Sequence, residues 1–459
     1  MTVSAHSNPL VEAPATQSDA RTEADTIAES SESTESTESS ASTGSPIHSP
    51  ETPLSTRAWF PVAGSMIAVA WGGNEFTPLL VMYRETSNFS QVTVNGLLAA
   101  YVVGIIPALL IGGPLSDLLG RRPLLLPAAP LSLAGSFLLS IAPNEPLIIA
   151  LGRVLCGMAL GLVMAVGSTW ITELITRTGG DPAAGARKAS LCLTAGFLVG
   201  AGIASVLAQW GPWPTHTAYI LHMLLTLLTA VWILHTPETR QPSRGDVKTT
   251  ILELRVRDML EMLHIPAVAH KRFLRVVVPV APWVFGCAGA AYALLPQLLS
   301  DSAGNAPIAF SGLMTVITLG CGVAVQMLGR LVDTHKSARA SALAMFVITV
   351  GAILGAFAAH SLSLPLGIAA AATMGAGYGL ALVAGLSEVQ RIAGERELAG
   401  LTAVYYSISY TGFFIPMAFS ALAPYIGFTA LFSIGSFLAL VCLINVILAW
   451  RAHLPGTRR

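Results

Sequence analysis

The sequence predicts an all-α membrane protein: twelve transmembrane helices in two six-helix pseudo-repeats, with both termini cytoplasmic. Three observations predict it. Of 459 residues, 53% are hydrophobic and 11% charged, with a mean hydropathy of +0.66, too apolar for a soluble globule of this length. Apolar stretches long enough to cross a ~30 Å hydrocarbon core recur from end to end. A charged turn, Gly113-Pro-Leu-Ser-Asp117-Leu-Leu-Gly120-Arg121-Arg122, returns in weakened form as Gly329-Arg-Leu-Val-Asp333-Thr-His-Lys336, offset by 216 positions (113 to 329).

Residues 1–56 are a different material. The run Glu29-Ser-Ser-Glu-Ser-Thr-Glu-Ser-Thr-Glu-Ser-Ser is acidic, hydroxyl-rich and free of aromatics, so it cannot bury enough apolar surface to fold. It reads as a disordered cytoplasmic tail, and the first 30 residues hold no apolar signal region. The N-terminal bundle, 57–235, supplies spans near 58–83, 92–112, 123–142, 146–172, 189–209 and 214–235. The C-terminal bundle, 273–451, supplies spans near 273–299, 308–328, 338–359, 362–386, 399–420 and 425–450. With no water in lipid to satisfy the backbone, each span must be a helix.

The linker between the bundles, 236–272, carries Leu252, Val256, Met259 and Leu263 at helical spacing opposite Glu253, Arg257 and Glu261. That pattern predicts a short amphipathic helix at the inner membrane surface. Residues 452–459 form a short basic tail. The 216-residue offset also pairs Gly196-Phe197 with Gly412-Phe413 and Gly161 with Gly377, and brings Glu173 within one position of the partner of Glu388. Parallel repeats of this kind enclose a midplane site and rock against each other. Gly157 and Gly161, Gly196 and Gly200, and Gly351 and Gly355 are small-x-x-x-small pairs, which let helices touch in lipid. Gly375-Ala-Gly377-Tyr-Gly379 serves the packing of the tenth span, since no strand surrounds it as a nucleotide loop requires.

Orientation follows from Lys and Arg. Placing alternate loops in the cytoplasm puts 21 of the 25 basic residues there; Arg21 and Arg57 lie in the tail, Arg84 outside and Arg153 within a span. Such a bias sets topology and leaves both termini inside, at a cell membrane. Five cysteines, all in apolar spans and without a C-x-x-C pair, argue against metal or disulfide roles. There is no Walker sequence, no metal-ligand set, no basic aromatic patch for nucleic acid and no soluble domain for an enzyme. No cofactor is expected. The expected partners are a small-molecule substrate, protons and the lipid bilayer, for a monomer.

In the charged turn, Gly113 and Gly120 allow two helices and their link to approach closely. Asp117 can accept hydrogen bonds from backbone N–H groups or a neighbouring arginine, while Arg121 and Arg122 anchor the turn at the membrane face. This Gly-x-x-x-Asp-x-x-Gly-Arg-Arg run resembles the loop between the second and third helices of the major facilitator superfamily. The echo at Gly329 and Asp333 stands where the second repeat requires it. The resemblance implies a cytoplasmic gate at both turns.

Two ionisable residues lie deep in apolar spans, where their cost makes them functional candidates. Glu75 sits in Trp71-Gly-Gly-Asn74-Glu75-Phe-Thr-Pro78 and Arg153 in Leu151-Gly-Arg153-Val-Leu-Cys-Gly157. At ~1.5 Å rise per residue both lie ~10–12 Å below the outer surface, so contact between them is open. A carboxyl there can carry a proton, ionising when open to water and becoming neutral when sealed away. The alternative is a static ion pair. Arg153 resembles the fourth-helix arginine (Arg-x-x-x-Gly) of proton-coupled members of the superfamily, and a buried first-span glutamate resembles drug/proton antiporters. The fifth-span stretch Gly196-Phe-Leu-Val-Gly200-Ala-Gly202 lacks the proline those exporters carry.

The resemblance further implies a cavity lined by spans one, four, seven and ten, flanked by two, five, eight and eleven. Candidate substrate residues are Asn74, Tyr101, Tyr292, Gln297, Tyr406 and Tyr410, suiting a moderately apolar ligand, with a cation as one option. His222 and Trp283 read as packing or interface residues. Proton-coupled export leads, proton-linked nutrient import is the alternative, and a non-transporting membrane sensor is a third class.

Overall fold

The computed structural model describes residues 55–240, 264–332, 337–394 and 397–451, with 328–332 as backbone alone. The acidic stretch of the tail, the linker helix, Asp333 and residues 452–459 lie outside the described residues.

The first apolar stretch is not one helix. Helix α1 (Phe60–Asn74) ends as Gly72 and Gly73 weaken its last turn, and α2 (Leu80–Thr86) starts only after Pro78, which has no N–H to donate. Glu75 sits on this break. Helix α3 (Gln91–Leu119) starts at Ser90, whose hydroxyl accepts from the Thr93 N–H at 3.0 Å, capping an otherwise orphaned donor. It ends at Gly120, φ 101°. Helices α4 (Arg121–Leu125) and α5 (Ala128–Ile141) follow. Helix α6 (Pro146–Leu162) runs through a π turn at Val163–Gly167 into α7 (Ser168–Arg177). Asp181 caps α8 (Pro182–Trp210), its carboxylate accepting from the N–H groups of Ala183 and Ala184 at 3.0 and 3.2 Å. Helix α9 (Thr217–Ile233) closes the first half.

In the second half a π turn (Phe273–Val277) leads into α10 (Val278–Gly289), a second π turn (Ala290–Leu294) and α11 (Leu295–Leu298). Then come α12 (Pro307–Val332), α13 (Arg339–Ser361), α14 (Leu364–Ile392), α15 (Leu398–Tyr410) and α16 (Phe414–Leu448). Helix α16 bends at Gly427, whose φ of 75° a side chain would oppose.

Among the described residues, nine helical stretches are long and apolar enough to cross a membrane, and Thr217–Ile233 is a shorter apolar helix. The small-residue pairs make the expected contacts. A Cβ at Gly196 would strike the Ile67 backbone of α1 and one at Gly200 the Trp71 backbone, so α8 lies directly on α1. Gly375 and Gly379 meet Thr318 and Gly322 of α12 in the same way. In lipid, where the hydrophobic drive between helices is absent, such backbone approach maximises dispersion contact. Leu147, Leu228, Tyr425 and Leu448 stand outward and exposed, an apolar exterior suited to hydrocarbon.

Candidate functional site

Among the described residues, several buried polar clusters and a cavity between the two halves interrupt the apolar interior. At the charged turn, the Arg121 guanidinium donates to both oxygens of Glu173, at 3.2 Å from Nε and 2.7 Å from an NH2 group, and pairs with Asp117 at 2.8 Å. Planar, two-pronged donation of this kind is what arginine supplies and lysine does not. Arg121 is 5% exposed, Asp117 46%. Residues 236–240, assigned above to the linker, are tied onto this turn. The Glu238 carboxylate accepts from the N–H groups of Arg121 (3.0 Å) and Arg122 (2.7 Å) at the open start of α4. Arg122 reaches the Leu234 carbonyl at 2.6 Å, Trp170 Nε1 donates to the Pro237 carbonyl at 3.2 Å, and Arg177 donates to the Thr239 carbonyl. Gly120 meets this strap so closely that a Cβ would lie 2.9 Å from the Arg240 carbonyl oxygen. Gly113, by contrast, faces open space. In the second half, Glu388 is gripped by Arg272, 2.8 Å from its NH2 group, and by Arg391 at 2.7 Å, with Arg272 and Glu388 essentially fully buried. Sequence reasoning missed this pair, although the repeat had marked Glu388.

At the break in the first span, Glu75 is fully buried. It is not paired with Arg153: no ion pair joins them among the described residues. Its Oε1 accepts from the Ser136 hydroxyl at 3.2 Å and lies 3.5 Å from His222 Nδ1. Ser136 Oγ is 2.7 Å from the same Nδ1, while His222 Nε2 lies 3.1 Å from the Ala68 carbonyl and 3.0 Å from Thr226 Oγ1. His222 is therefore part of a buried polar cluster rather than packing alone. The signal for it was a histidine inside an apolar span, the same signal that singled out Glu75. Glu75 Oε2 has no partner.

Arg153 is fully buried beside the cavity. One NH1 donates to the Gly73 carbonyl at 3.2 Å, a group the end of α1 leaves without a helical partner. The guanidinium carbon stands 4.3 Å from the Tyr101 ring centre and 4.6 Å from that of Phe76, a cation–π arrangement. Nε and NH2 have no hydrogen-bond partner.

The cavity, about 30 Å³, is lined by Gly73, Asn74, Thr77, Tyr101, Arg153 and Phe197 from the first half and by Phe285, Tyr292, Tyr378, Tyr410 and Phe413 from the second, with Leu98 and Leu319. Four of the six substrate candidates, Asn74, Tyr101, Tyr292 and Tyr410, are brought together here. The π turn at Ala290–Leu294 carries Tyr292, and Tyr410 meets Met164 of the π turn Val163–Gly167 through an O–H···S contact at 3.2 Å. Such turns often mark functional positions. Gln297 and Tyr406 are elsewhere. Gln297 donates to Asn95 Oδ1 at 3.0 Å, and Asn95 donates to Ser420 at 2.8 Å; Tyr406 lies against Tyr405, ring centres 5.7 Å apart. Phe285, Tyr378 and Phe413 were missed because aromatics in apolar spans look like ordinary packing.

The halves are stitched at the end away from the charged turn. Besides the Asn95–Gln297–Ser420 chain, Arg84 donates to the Gln297 carbonyl at 3.2 Å, and Gln209 Oε1 accepts from the N–H groups of Ile308 and Ala309 at 2.9 and 3.1 Å. Among the described residues, hydrogen bonds between the halves lie at this end or at the cavity.

Residues 62–415 match the family model described as Major Facilitator Superfamily. The chain belongs to the major facilitator superfamily. Its fold is shared with a POT family transporter in complex with 5-aminolevulinic acid (TM-score 0.65, 14% identity, 85% of this chain and 95% of that one). It is shared also with the nucleoside transporter NupG (0.66, 11%, 86% and 99%) and with the xylose transporter XylE from E. coli (0.57, 15%, 84% and 95%). Over 131 residues the chain is 30% identical to the probable inositol transporter 2 of Arabidopsis thaliana, a match spanning 28% of this chain and 19% of that relative. Family and fold are those of multi-pass membrane transporters.

Proposed function

We propose that this superfamily member is a secondary active transporter of a small organic molecule, working by alternating access and coupled to protons at Glu75. It acts as a monomer in the cell membrane, crossing it twelve times with both termini cytoplasmic. The broken first stretch, Thr217–Ile233 and the two arms of Leu398–Leu448 on either side of Gly427 complete that number. The charged turn at Asp117 then lies at the cytoplasmic gate, where its echo at Asp333 belongs by the repeat, and the Asn95–Gln297–Ser420 chain closes the outer side.

The observation that carries the proton coupling is the enclosed Glu75–Ser136–His222 cluster. Ser136 bridges two arrangements with the same heavy atoms. In one, His222 Nδ1–H donates to Ser136, whose hydroxyl donates to the Glu75 carboxylate. In the other, protonated Glu75 donates to Ser136, which donates to Nδ1. A proton can thus change owner without breaking the network, and the break at Gly72–Pro78 gives Glu75 a hinge between two water accesses. The sequence resemblance favours export; the segment shared with the probable inositol transporter favours uptake as a second reading.

Reconstituted protein is the test. Substrate flux in proteoliposomes separates a transporter from a sensor, and its direction under an imposed pH gradient separates antiport from symport. Glu75→Gln is expected to abolish pH-driven accumulation while leaving substrate binding measurable. Uphill transport with unchanged pH dependence in that variant would place the proton path elsewhere.

A further inference from the structure

The cavity holds unused donors and no anionic acceptor. Arg153 presents Nε and NH2 without partners and Tyr101 a buried hydroxyl without one. Asn74 and Thr77 already serve each other: the Thr77 hydroxyl donates to Asn74 Oδ1 at 2.8 Å, and Asn74 Nδ2 donates to the Phe197 carbonyl at 3.1 Å. No carboxylate lines the cavity, and apart from the hydroxyls of Tyr292, Tyr378 and Tyr410 the rest of its wall is aromatic or aliphatic. A guanidinium has no acceptor capacity, and leaving its N–H groups buried without acceptors is costly. This favours neither a cation nor a neutral donor as ligand.

We propose that the cavity takes small organic monoanions, carboxylates with an apolar or aromatic body, whose charged end docks on Nε and NH2 of Arg153 and on the Tyr101 hydroxyl. The body then lies among Phe285, Tyr292, Tyr378, Tyr410 and Phe413. This rests on the transporter reading and names its substrate class. At about 30 Å³ the cavity has room for about one water, so ligand entry accompanies separation of the aromatic walls, three of which (Phe285, Tyr410, Phe413) stack with centres 4.2 to 5.9 Å apart.

The same placement ties the anion to the proton. The titratable group in contact with Glu75 is His222 of α9; near enough to feel its charge are Arg153 and Cys156 from α6, Tyr219 from α9 and Tyr83 from α2, and Arg153 is the one permanent cation among them. A protonated Glu75 no longer offsets that guanidinium, so an anion gains attraction when the proton is on. Proton and carboxylate therefore bind together, which is symport and sides with the second reading, uptake.

The test uses the purified full chain and benzoate, phenylacetate and cyclohexanecarboxylate, each set against its matching primary amide and primary amine, with binding read by calorimetry. At least one carboxylate is expected to bind about tenfold or more tightly than its amide and amine. Glu75→Gln should bind it no more weakly than wild type. Arg153→Gln alone is at risk of misfolding, so the double variant Glu75→Gln/Arg153→Gln, which removes both charges, is the decisive one; there the preference should fall below about twofold. A panel in which no carboxylate outranks its amide and amine overturns the assignment, as does a preference that survives in the double variant. Proteoliposome flux of an amine or amide would sink the anion assignment and leave the transporter reading standing. Selective carboxylate binding with no flux of any panel member would do the reverse.

Discussion

Glu173 and Glu388 stand one position from equivalence in the two repeats, both close the same span of their half, and both are held by arginine, yet the arginines come from different places. Glu173 is held by Arg121 of the charged turn, and the pair is partly open, with 27% of the Glu173 side chain exposed. Glu388 is held by Arg272, which enters from the chain just before the seventh apolar stretch, and that pair is essentially dry, at 0% and 1% exposure. The second copy of the turn lacks the paired arginines and has Lys336 where the first has Gly120. A carboxylate at that depth still requires a cation, so the second half draws one from another element. The difference teaches that a repeat conserves the electrostatic demand of a position more than the residue that meets it.

The comparison breaks most sharply at the dry pair. Arg272→Ala should lower stability by about 3–5 kcal/mol, because it removes one of the two cations that, among the described residues, hold the buried Glu388 carboxylate; thermal unfolding in detergent measures this, and a loss below that of Glu173→Gln would reverse the ranking. Next comes Gly120→Ala, expected to cost about 1–3 kcal/mol, since φ of 101° strains any side chain and the strap at Arg240 leaves no room. A wild-type melting temperature would show that the strap yields. Glu173→Gln should cost about 1–2 kcal/mol, less than a charged hydrogen bond in a dry site, because water reaches the pair. Equal losses for Glu173→Gln and Glu388→Gln would erase the distinction between the halves. The smallest stability effect is at Asp117, nearly half exposed, where Asp117→Asn should change stability by less than about 1 kcal/mol. Its flux should nonetheless fall about fivefold or more through a shifted balance between orientations, and more than for Asp333→Asn. Normal flux in Asp117→Asn at normal expression would remove the turn from the gate.

Much of this was legible along the chain. The membrane class followed from composition, the charged turn from its spacing, and the burial of Glu75 and Arg153 from their place inside apolar spans. Four of the six candidate substrate residues line the cavity, legible because the superfamily resemblance named the lining spans. Gln297 was misplaced since it lies near the end of its span, one helical turn beyond Tyr292, where the halves meet. Depth along a helix is a one-dimensional quantity that sequence carries; the direction a side chain faces depends on how each helix is rotated and crossed by its neighbours. That rotation is set by close contacts such as Gly200 against Trp71, and by the break at Gly72–Pro78. It turned Glu75 toward Ser136 and His222 and left Arg153 beside the cavity. Arg272 and Glu388, 116 residues apart, meet for the same reason: their pairing exists only once helices from distant parts of the chain have packed.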